Sequence, residues 1–437
     1  MNRLVVGVSV LALLVLTTAV LFAQSPNASG QKVKIVFWDE NAGPTRTPYY
    51  EELIKRFQAS QNEVEVEYVG LPPANALDKY NIAIAANETP DVGGINLNYI
   101  PGMVAKKALT PMDPWFNTWN QKGKIIPSII ASARNIVPDG KLYFMPSTSA
   151  LSCFWYRTDL FKAQGLSYPE TWDQFFNAVH KLTNKEKRQY GYTIRGGAQS
   201  AAVLIDLMYS YSGITYAFDA KGKSSVNDPR HVEFVKKYLG LYKTYTPESD
   251  ITASVKEITA NFDTGVAALL FHNLGSGKDH LKAFGNTDKF AAGPVPKSVQ
   301  GYRAINPVAF TGYMIFQNSK HKDAAWKWVS FLASAASNSY WNESIGQMPV
   351  NTDVLKDDWV NKSQHIKMAL TEVADPKTRT FGIPVQLPDY SVINAKFIEP
   401  DIQKILLGEM TVEKMLADWA GALEKAKKNF DQGQTNR

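Results

Sequence analysis

Residues 32–38 read Lys-Val-Lys-Ile-Val-Phe-Trp, a segment that first alternates between charged and apolar residues and then becomes fully apolar. This pattern predicts a buried β-strand. The sequence then predicts an amphipathic helix at 49–60, an alternating strand at 64–69, a helix at 76–87 and a third strand at 91–95. Strands and helices that alternate in this way indicate an α/β fold with a parallel sheet and right-handed crossovers.

Two loops of this predicted sheet carry candidate binding residues. In an open parallel sheet, ligands bind beyond the carboxyl ends of the strands. Trp38, Asp39, Glu40 and Asn41 follow the first strand, and Asn98 lies in the loop after the third. A sugar needs a flat aromatic face for its C–H groups and planar polar groups for its hydroxyls, and the first loop offers both. We therefore predict ligand contact by that loop, with core packing as the alternative for Trp38.

The N-terminus resembles an export signal. One positive charge, Arg3, precedes a long apolar run that ends at the small residue Ala23. This arrangement is typical of a secretory signal peptide, and we expect cleavage after Ala23 and a periplasmic product. The run is long enough for an uncleaved anchor, which needs about 20 apolar residues. The single cysteine, Cys153, lies far from the signal, so no lipid-anchoring cysteine is expected and no internal disulfide can form.

Charge and composition exclude some classes of function. The net charge of +6 is spread along the chain, and no basic stripe with a recognisable nucleic-acid-binding module is present. We therefore expect no nucleic-acid partner. Aromatic residues make up 12% of the chain, more than core packing alone requires, and the surplus suits flat sugar faces.

Motifs for catalysis or metal binding are also missing from the sequence. The six histidines have no metal-ligand spacing, and we predict no metal, no cofactor and no catalytic residues. Gly275-Ser276-Gly277-Lys278 resembles part of a phosphate-binding loop, but His272 stands where its first glycine belongs. The side chains of the adjacent Asp39 and Glu40 diverge at a strand end, so they cannot flank one glycosidic bond as a catalytic pair. Two carboxyls that are distant in the sequence could still form such a pair.

The rest of the chain predicts further helices and one linker. Thr171 and Gln174 form a capping box at the start of a helix. Further amphipathic helices are predicted at 231–243 and 323–333, the latter with Asp323 as its N-cap. A proline-containing stretch between 127 and 146 resembles a linker.

Short motifs occur in an order that is typical of one family. They are Thr-Pro-Asp-Val at 89–92, Leu-Thr-Pro-Met-Asp at 109–113, Asp-Gly-Lys-Leu-Tyr-Phe-Met-Pro at 139–146, Tyr-Arg-Thr-Asp-Leu-Phe at 156–161, Pro-Glu-Thr-Trp-Asp at 169–173, Phe-Asp-Thr-Gly-Val-Ala-Ala-Leu at 262–269 and Gly-Gln-Met-Pro at 346–349. In this order they resemble the family 1 extracellular solute-binding proteins, which include the maltose- and glycerol-phosphate-binding proteins of ABC importers.

The resemblance implies a two-lobed periplasmic-binding-protein fold, type II-like, with a ligand cleft between the lobes and several hinge crossings. After the signal peptide predicted at 1–23, it implies a first lobe of 24–147 plus 312–348 and a second lobe of 148–311 plus 349–437. The implied mechanism is capture of a sugar or related polar solute by closure of the lobes, followed by delivery to the transmembrane subunits of an ABC permease. We expect a monomer.

The resemblance also implies further ligand-contacting residues. Asn98 and Ser149 stand near the first lobe's ligand loop and the first hinge, and His272 and Asn273 stand at the second lobe's ligand loop. A stacking Trp that maltose-type proteins place a few residues later is replaced here by Leu-Gly-Ser at 274–276. We therefore predict Trp341 and Tyr390 as candidate ring platforms.

Other tryptophans and one arginine are assigned to structure. Trp172, Trp326 and Trp328 are predicted to be core residues, and Arg46 is predicted to be a solvated surface residue.

Other functions stay open from sequence alone. Within the binding proteins, the ligand could instead be a sugar phosphate, polyol, oligosaccharide, peptide or oxyanion. A secreted carbohydrate-active enzyme is the alternative from another class. A protein that presents its ligand to a membrane receptor is a third alternative.

Overall fold

The computed structural model of the protein describes residues 32–73, 75–306 and 310–435. The predicted signal peptide at 1–23 lies outside these residues. The strands of the described part are β1 Val33–Asp39, β2 Val64–Gly70, β3 Val92–Asn96, β4 Met145–Ser149, β5 Ser152–Tyr156, β6 Leu269–Asn273, β7 Ala291–Gly293, β8 Ala304–Ile305, β9 Phe310–Ile315, β10 Met348–Pro349 and β11 Arg379–Thr380.

Helices connect and cover these strands. The α-helices of the described residues are α1 Thr47–Ser60, α2 Ala76–Ala86, α3 Ile100–Ala105, α4 Asp113–Phe116, α5 Pro127–Asn135, α6 Thr158–Ala163, α7 Trp172–Leu182, α8 Ser200–Ser212, α9 Pro229–Leu239, α10 Val255–Asp263, α11 Gly277–Phe284, α12 Lys322–Ala333, α13 Ala335–Ile345, α14 Asp358–Lys362, α15 Gln364–Ala374, α16 Tyr390–Ile393, α17 Glu399–Leu406 and α18 Val412–Thr435.

The first large sheet has six strands in the order β10-β4-β9-β3-β1-β2. β1 is parallel to both β2 and β3, so the predicted strand-helix-strand-helix-strand unit is confirmed. β9 returns from much later in the chain and lies antiparallel between β3 and β4. The chain therefore leaves this sheet after β4, builds other structure, and comes back.

The second sheet is formed by the segment that the first sheet excludes. Its strands are antiparallel and lie in the order β6-β5-β7, and β8 and β11 form a separate pair. Two sheets joined by strands that cross between them give the two-lobed α/β architecture that the sequence predicts.

Alternation along β1 directs side chains to both faces of the first sheet. Phe37 is fully buried and packs on Tyr50 of α1 and Trp328 of α12. Trp38 points to the other face, where it packs on Tyr80 of α2 with 5.7 Å between ring centroids. Because Asp39 follows Phe37 by two residues, it lies on the buried α1 side with 3% exposure, at the point where the strand ends.

Several local predictions need correction. The stretch predicted as a linker contains α5, which begins at Pro127. The helix predicted at 231–243 ends at Leu239. Asp323 is not the cap of α12: it lies in the first turn and accepts a hydrogen bond from Trp115 Nε1 at 2.7 Å. The capping box of Thr171 and Gln174 at the start of α7 is confirmed.

The connections between the two sheets bear on the lobe boundaries. The backbone N–H groups of Val350 and Asn351 both donate to Asn338 Oδ1 of α13 at 3.2 Å, and Ser339 of the same helix bonds to Asp357. By contrast, Gln364 of α15 exchanges two hydrogen bonds with Ala292 of β7. We therefore propose that the last crossing lies between 357 and 364 rather than at 349; the other boundaries stay predictions.

Candidate functional site

A pocket opens at the edge of the six-stranded sheet where β1, β3 and β4 end and β9 begins. It encloses about 280 Å³, its open mouth included. The residues that line it are Asp39, Glu40, Asn41, Arg46, Tyr50, Gly94, Ile95, Ser147, Thr311, Gly312, Tyr313 and Trp341. Four predicted site residues therefore meet in one place, namely Asp39, Glu40, Asn41 and Trp341. Gly312 is required there, because a Cβ on it would lie 2.1 Å from the Met145 carbonyl oxygen.

Two adjacent carboxyl groups, the buried Asp39 and the half-buried Glu40, form one side of the pocket. Asp39 accepts a hydrogen bond from the Tyr68 hydroxyl at 3.3 Å, and burial raises its pKa to about 6 against the opposing effect of Arg46. Burial also raises the pKa of Glu40 to about 8, with a further contribution from the charge of Asp39. The Asn96 backbone N–H acts in the opposite direction by bonding to Glu40. The pair therefore keeps one proton near neutral pH that exposed carboxyls would have lost.

Arg46 is part of the site rather than a solvated surface residue, so that prediction is wrong. Its side chain is partly buried, lines the pocket, and lies over the Trp341 ring at 5.7 Å from the centroid. Its charge lowers the pKa values of both Asp39 and Glu40. The position of Arg46 in a loop directly after the first strand is the only sequence signal that pointed to it.

Aromatic and hydroxyl groups form the opposite side of the pocket. The rings of Tyr50 and Trp341 lie 4.1 Å apart between centroids, and Trp341 Nε1 donates to Thr148 Oγ1 at 3.1 Å. The Tyr50 and Tyr313 hydroxyls lie 3.4 Å apart, and Ser147 Oγ donates to Tyr313 at the same distance. Trp341 is only 2% exposed, so it offers an edge of its ring to the pocket rather than an open platform.

Three of the predicted residues that do not line this pocket, Trp38, Ser149 and Tyr390, pack within the protein instead. Trp38 packs on Tyr80. Ser149 is 5% exposed within β4. Tyr390 is also 5% exposed; it begins α16, and burial raises the pKa of its hydroxyl, which bonds to Asn394. Loop position could not show that Tyr390 is buried where α16 begins.

His272 and Asn273 lie in a second group of polar side chains at the end of β6, whereas Asn98 follows β3 of the first sheet. Asn98 Oδ1 and His272 Nδ1 are both buried and have no hydrogen-bond partner among the described residues. Asn273 ends β6 and accepts hydrogen bonds from Gly275 N at 3.0 Å and from Gln347 Nε2 at 2.9 Å. Gln347 precedes β10, so this bond joins the two sheets.

Arg195 and Glu399 belong to the same group, and sequence reasoning missed both. Arg195 is 9% exposed and donates to Ala198 O at 2.7 Å and to Gln199 Oε1 at 3.0 Å. Burial, and next the charge of Arg195, lowers the pKa of His272 to about 3. Burial raises the pKa of Glu399 to about 7.

Tyr99 connects the two groups. Burial, followed by the charges of Glu40 and Glu399, raises the pKa of its hydroxyl to about 12. The charges of Glu40 in the first group and of Glu399 in the second group therefore act on the same hydroxyl.

A scan against protein families gives one match. The family model described as bacterial extracellular solute-binding protein matches residues 43–339, more than half of the chain. The chain belongs to this family.

Known relatives cover nearly all of this solute-binding protein. A protein of Brucella abortus strain 2308, named only as a binding protein, is 24% identical over 95% of this chain and 96% of its own. The maltodextrin-binding protein of Bacillus subtilis strain 168 is 25% identical over 82% of each chain.

A solved structure shows the same fold. It is an ABC transporter solute-binding protein from Thermotoga lettingae bound with α-D-tagatose, with a TM-score of 0.78, 22% identity, and coverage of 91% of this chain and 100% of its own. The predicted two-lobed fold and family are thus confirmed. The family and these relatives are binding proteins rather than enzymes.

The described part of the solute-binding protein has neither a candidate metal site nor a candidate membrane-spanning helix. Within the described ranges, no three or more His, Cys, Asp and Glu side chains are grouped so as to hold a metal ion. No helix between residue 32 and residue 435, in the parts that are described, is long and apolar enough to cross a membrane.

Proposed function

We propose that this protein captures a polyhydroxylated solute, a sugar or a related polyol, in the cleft between its two sheets and delivers it to the permease of an ABC importer. One observation carries the proposal: two adjacent carboxyl groups, one buried and one half-buried, meet an arginine and two tyrosine hydroxyls beside a tryptophan in one pocket.

The pocket chemistry suits hydroxyl groups. Asp39 and Glu40 are acceptors when ionised, and a protonated carboxyl adds a donor. Arg46 supplies planar donors, and the edge of Trp341 supplies apolar surface.

The relatives support the same ligand class. One of them is named for maltodextrin binding, and the Thermotoga lettingae protein was solved with α-D-tagatose. Asp39 carries a negative charge above pH 6 and Arg46 carries a positive charge, so the two charges compensate each other. This balance favours a neutral ligand over a sugar phosphate.

The proposed mechanism is closure of the cleft on the ligand. Contacts from the second group, which includes His272 and Arg195, would complete those made by Asp39 and Glu40. A ligand shifts the protein toward the closed form only through its additional contacts there. We further propose that the first lobe comprises 24–147 plus 312–357. The second lobe would then comprise 148–311 plus 358–437, with the last crossing after residue 357.

The proposed cellular setting follows the export signal. We propose that residues 1–23 are removed, that the product acts in the periplasm as a monomer without a cofactor, and that the transmembrane subunits of the permease are its partners. The absence of catalysis is part of the same proposal.

Isothermal titration calorimetry against α-D-tagatose, ribitol, maltose and maltotriose tests this function. We expect at least one sugar or polyol to bind, and Asp39→Asn to weaken binding at least about tenfold, since one lost charge-assisted hydrogen bond accounts for that change. Asp358→Asn is the matched control, because Asp358 is exposed and pairs only with Lys362 in the same helix. Turnover of any glycoside, or equal affinity in both variants, would contradict the proposal.

A further inference from the structure

Three neighbouring polar side chains, those of Gln347, Asn273 and His272, connect the two sheets. Gln347 lies directly before β10 of the first sheet and is 2% exposed. Its Nε2 donates to Oδ1 of Asn273, the last residue of β6 in the second sheet, at 2.9 Å. Asn273 Nδ2 lies 3.3 Å from Nε2 of the neighbouring His272.

A backbone group fixes the orientation of the Asn273 amide. The N–H of Gly275 can only donate, and it lies 3.0 Å from Asn273 Oδ1. The atom in that position must therefore be the carbonyl oxygen, and the NH₂ group must point to His272. Gln347 strengthens this orientation, because its own NH₂ group donates to the same oxygen.

The amide orientation in turn fixes the tautomer of His272. Asn273 Nδ2 has only hydrogens to offer, so His272 Nε2 must be the acceptor and cannot carry a proton. The single proton of the neutral ring then resides on Nδ1. Burial keeps the ring neutral, since it lowers the pKa of His272 to about 3.

Two polar atoms of these three side chains remain without hydrogen-bond partners among the described residues. His272 Nδ1 and Gln347 Oε1 are both buried, and neither has a hydrogen-bond partner among the described residues. The first is a donor and the second an acceptor. Buried polar groups normally have partners, and a hydroxyl group is both donor and acceptor.

We propose that Asn273, held by Gly275 and by Gln347 from the other sheet, is a positioning residue that keeps His272 as the Nδ1–H tautomer, so that the closed cleft presents a neutral N–H donor to a hydroxyl oxygen of the ligand. The ligand part of this inference rests on the proposed function. The assignment of the His272 tautomer depends only on the three side chains and on the Gly275 N–H.

The tautomer can be read directly from the unliganded protein. In a long-range ¹H–¹⁵N spectrum of histidine-labelled protein at pH 8, we expect a protonated Nδ1 and an unprotonated Nε2 for His272, assigned by loss of its signals in His272→Gln. Asn273→Asp replaces the NH₂ donor by an acceptor oxygen, so Nε2 should become protonated. The control Asn361→Asp makes the same change on the exposed surface and should leave the signals unchanged. An unprotonated Nδ1 in the wild type, or an unchanged Nε2 in Asn273→Asp, would overturn the proposal.

A pair of substitutions tests the ligand contact without relying on Asn273. The amide nitrogen of His272→Asn can take the place of Nδ1, whereas that of His272→Gln can take the place of Nε2. With α-D-tagatose or ribitol as the probe, we expect His272→Asn to bind at least about tenfold more tightly than His272→Gln, which corresponds to about 1.4 kcal/mol. Equal affinities, or the reverse order, would overturn the assignment of Nδ1 as the donor. Failure of the wild type to bind any sugar or polyol would instead contradict the proposed function, and the spectrum would still decide the tautomer.

Discussion

Two groups of polar side chains differ in where their residues come from. The first group, Asp39, Glu40 and Arg46, comes from one strand end and the loop after it. The second group, His272, Arg195 and Glu399, comes from one strand end and two segments that are remote in the chain. Asp39 and Glu40 lie where β1 ends, and Arg46 follows in the next loop. In the second group, His272 is in β6, Arg195 precedes α8, and Glu399 begins α17. The first group thus takes its residues from one sheet edge, and the second takes them from segments that are far apart in the chain.

This difference shows how each group is held in place. Trp341 is 2% exposed and packs on Tyr50 of α1, so a large apolar contact supports the first group. Arg195 is held instead by a loop whose backbone is anchored to Asp250. We therefore expect the first group to depend on core packing and the second on a buried hydrogen-bond network.

Truncation of Trp341 should have the largest effect on stability. Trp341→Ala removes a fully buried ring and its hydrogen bond to Thr148, so we expect the free energy of unfolding to fall by about 4 kcal/mol. Urea denaturation followed by circular dichroism measures this change. Trp341→Phe is the matched control, since it keeps most of the ring and should cost about 1–2 kcal/mol. A loss below about 1 kcal/mol in Trp341→Ala would show that packing does not support the first group.

Removal of Asp250 should have the next largest effect, at the second group. Asp250 is fully buried and accepts hydrogen bonds from Thr193 Oγ1 at 3.0 Å, Ile194 N at 2.6 Å and Asn261 Nδ2 at 3.1 Å. Asp250→Ala leaves these donors buried without an acceptor, and we expect a loss of about 3 kcal/mol. Hydrogen exchange of the Ile194 amide should accelerate more than that of amides in β1.

The matched control for this prediction is the exposed Asp358→Ala, which should change stability by less than about 0.5 kcal/mol. Equal acceleration of exchange at Ile194 and in β1 would mean that the network stabilises the whole chain rather than the loop before α8.

Sequence patterns were sufficient for the parts of the molecule that local rules control. Alternation and helical spacing predicted β1 to β3 with their helices, and the rule on strand ends predicted Asp39, Glu40 and Asn41 in the pocket. These predictions need only the neighbours of each residue along the chain.

The remaining site residues depend on partners that are remote in sequence. Arg46 is partly buried and lies over the Trp341 ring, and no pattern around residue 46 shows that contact. Trp38 packs on Tyr80 of α2, a contact that no pattern around residue 38 shows, and its contact with ligand stays a prediction. Gln347 and Asn273 form a pair only because the two sheets meet, so neither segment alone predicts the bond between them.

The smallest effect that we predict is a pH dependence at the first group. Burial raises the pKa of Asp39 from 3.8 to about 6, so between these values the folded state holds a proton that the unfolded state has lost. A proton bound more tightly in the folded state stabilises it at low pH, and this contribution disappears as the pH rises through 6. From pH 5 to pH 8, Asp39 should therefore reduce the free energy of unfolding by about 1.4 kcal/mol, since that interval contains about one pKa unit below the folded value. Urea denaturation at several pH values measures this loss.

The comparison with Asp39→Asn isolates this contribution. The amide does not titrate, and loss of the Asp39 charge also lowers the pKa of Glu40, so the stability of the variant should fall less steeply from pH 5 to pH 8. Buried carboxyls elsewhere, including Asp250 and Glu399, have raised pKa values of the same sign and remain in both proteins. The exposed Asp358→Asn should follow the wild-type curve. Parallel curves for wild type and Asp39→Asn would show that Asp39 is already ionised at pH 5, and the first group would then resemble a solvated strand end rather than a buried binding site.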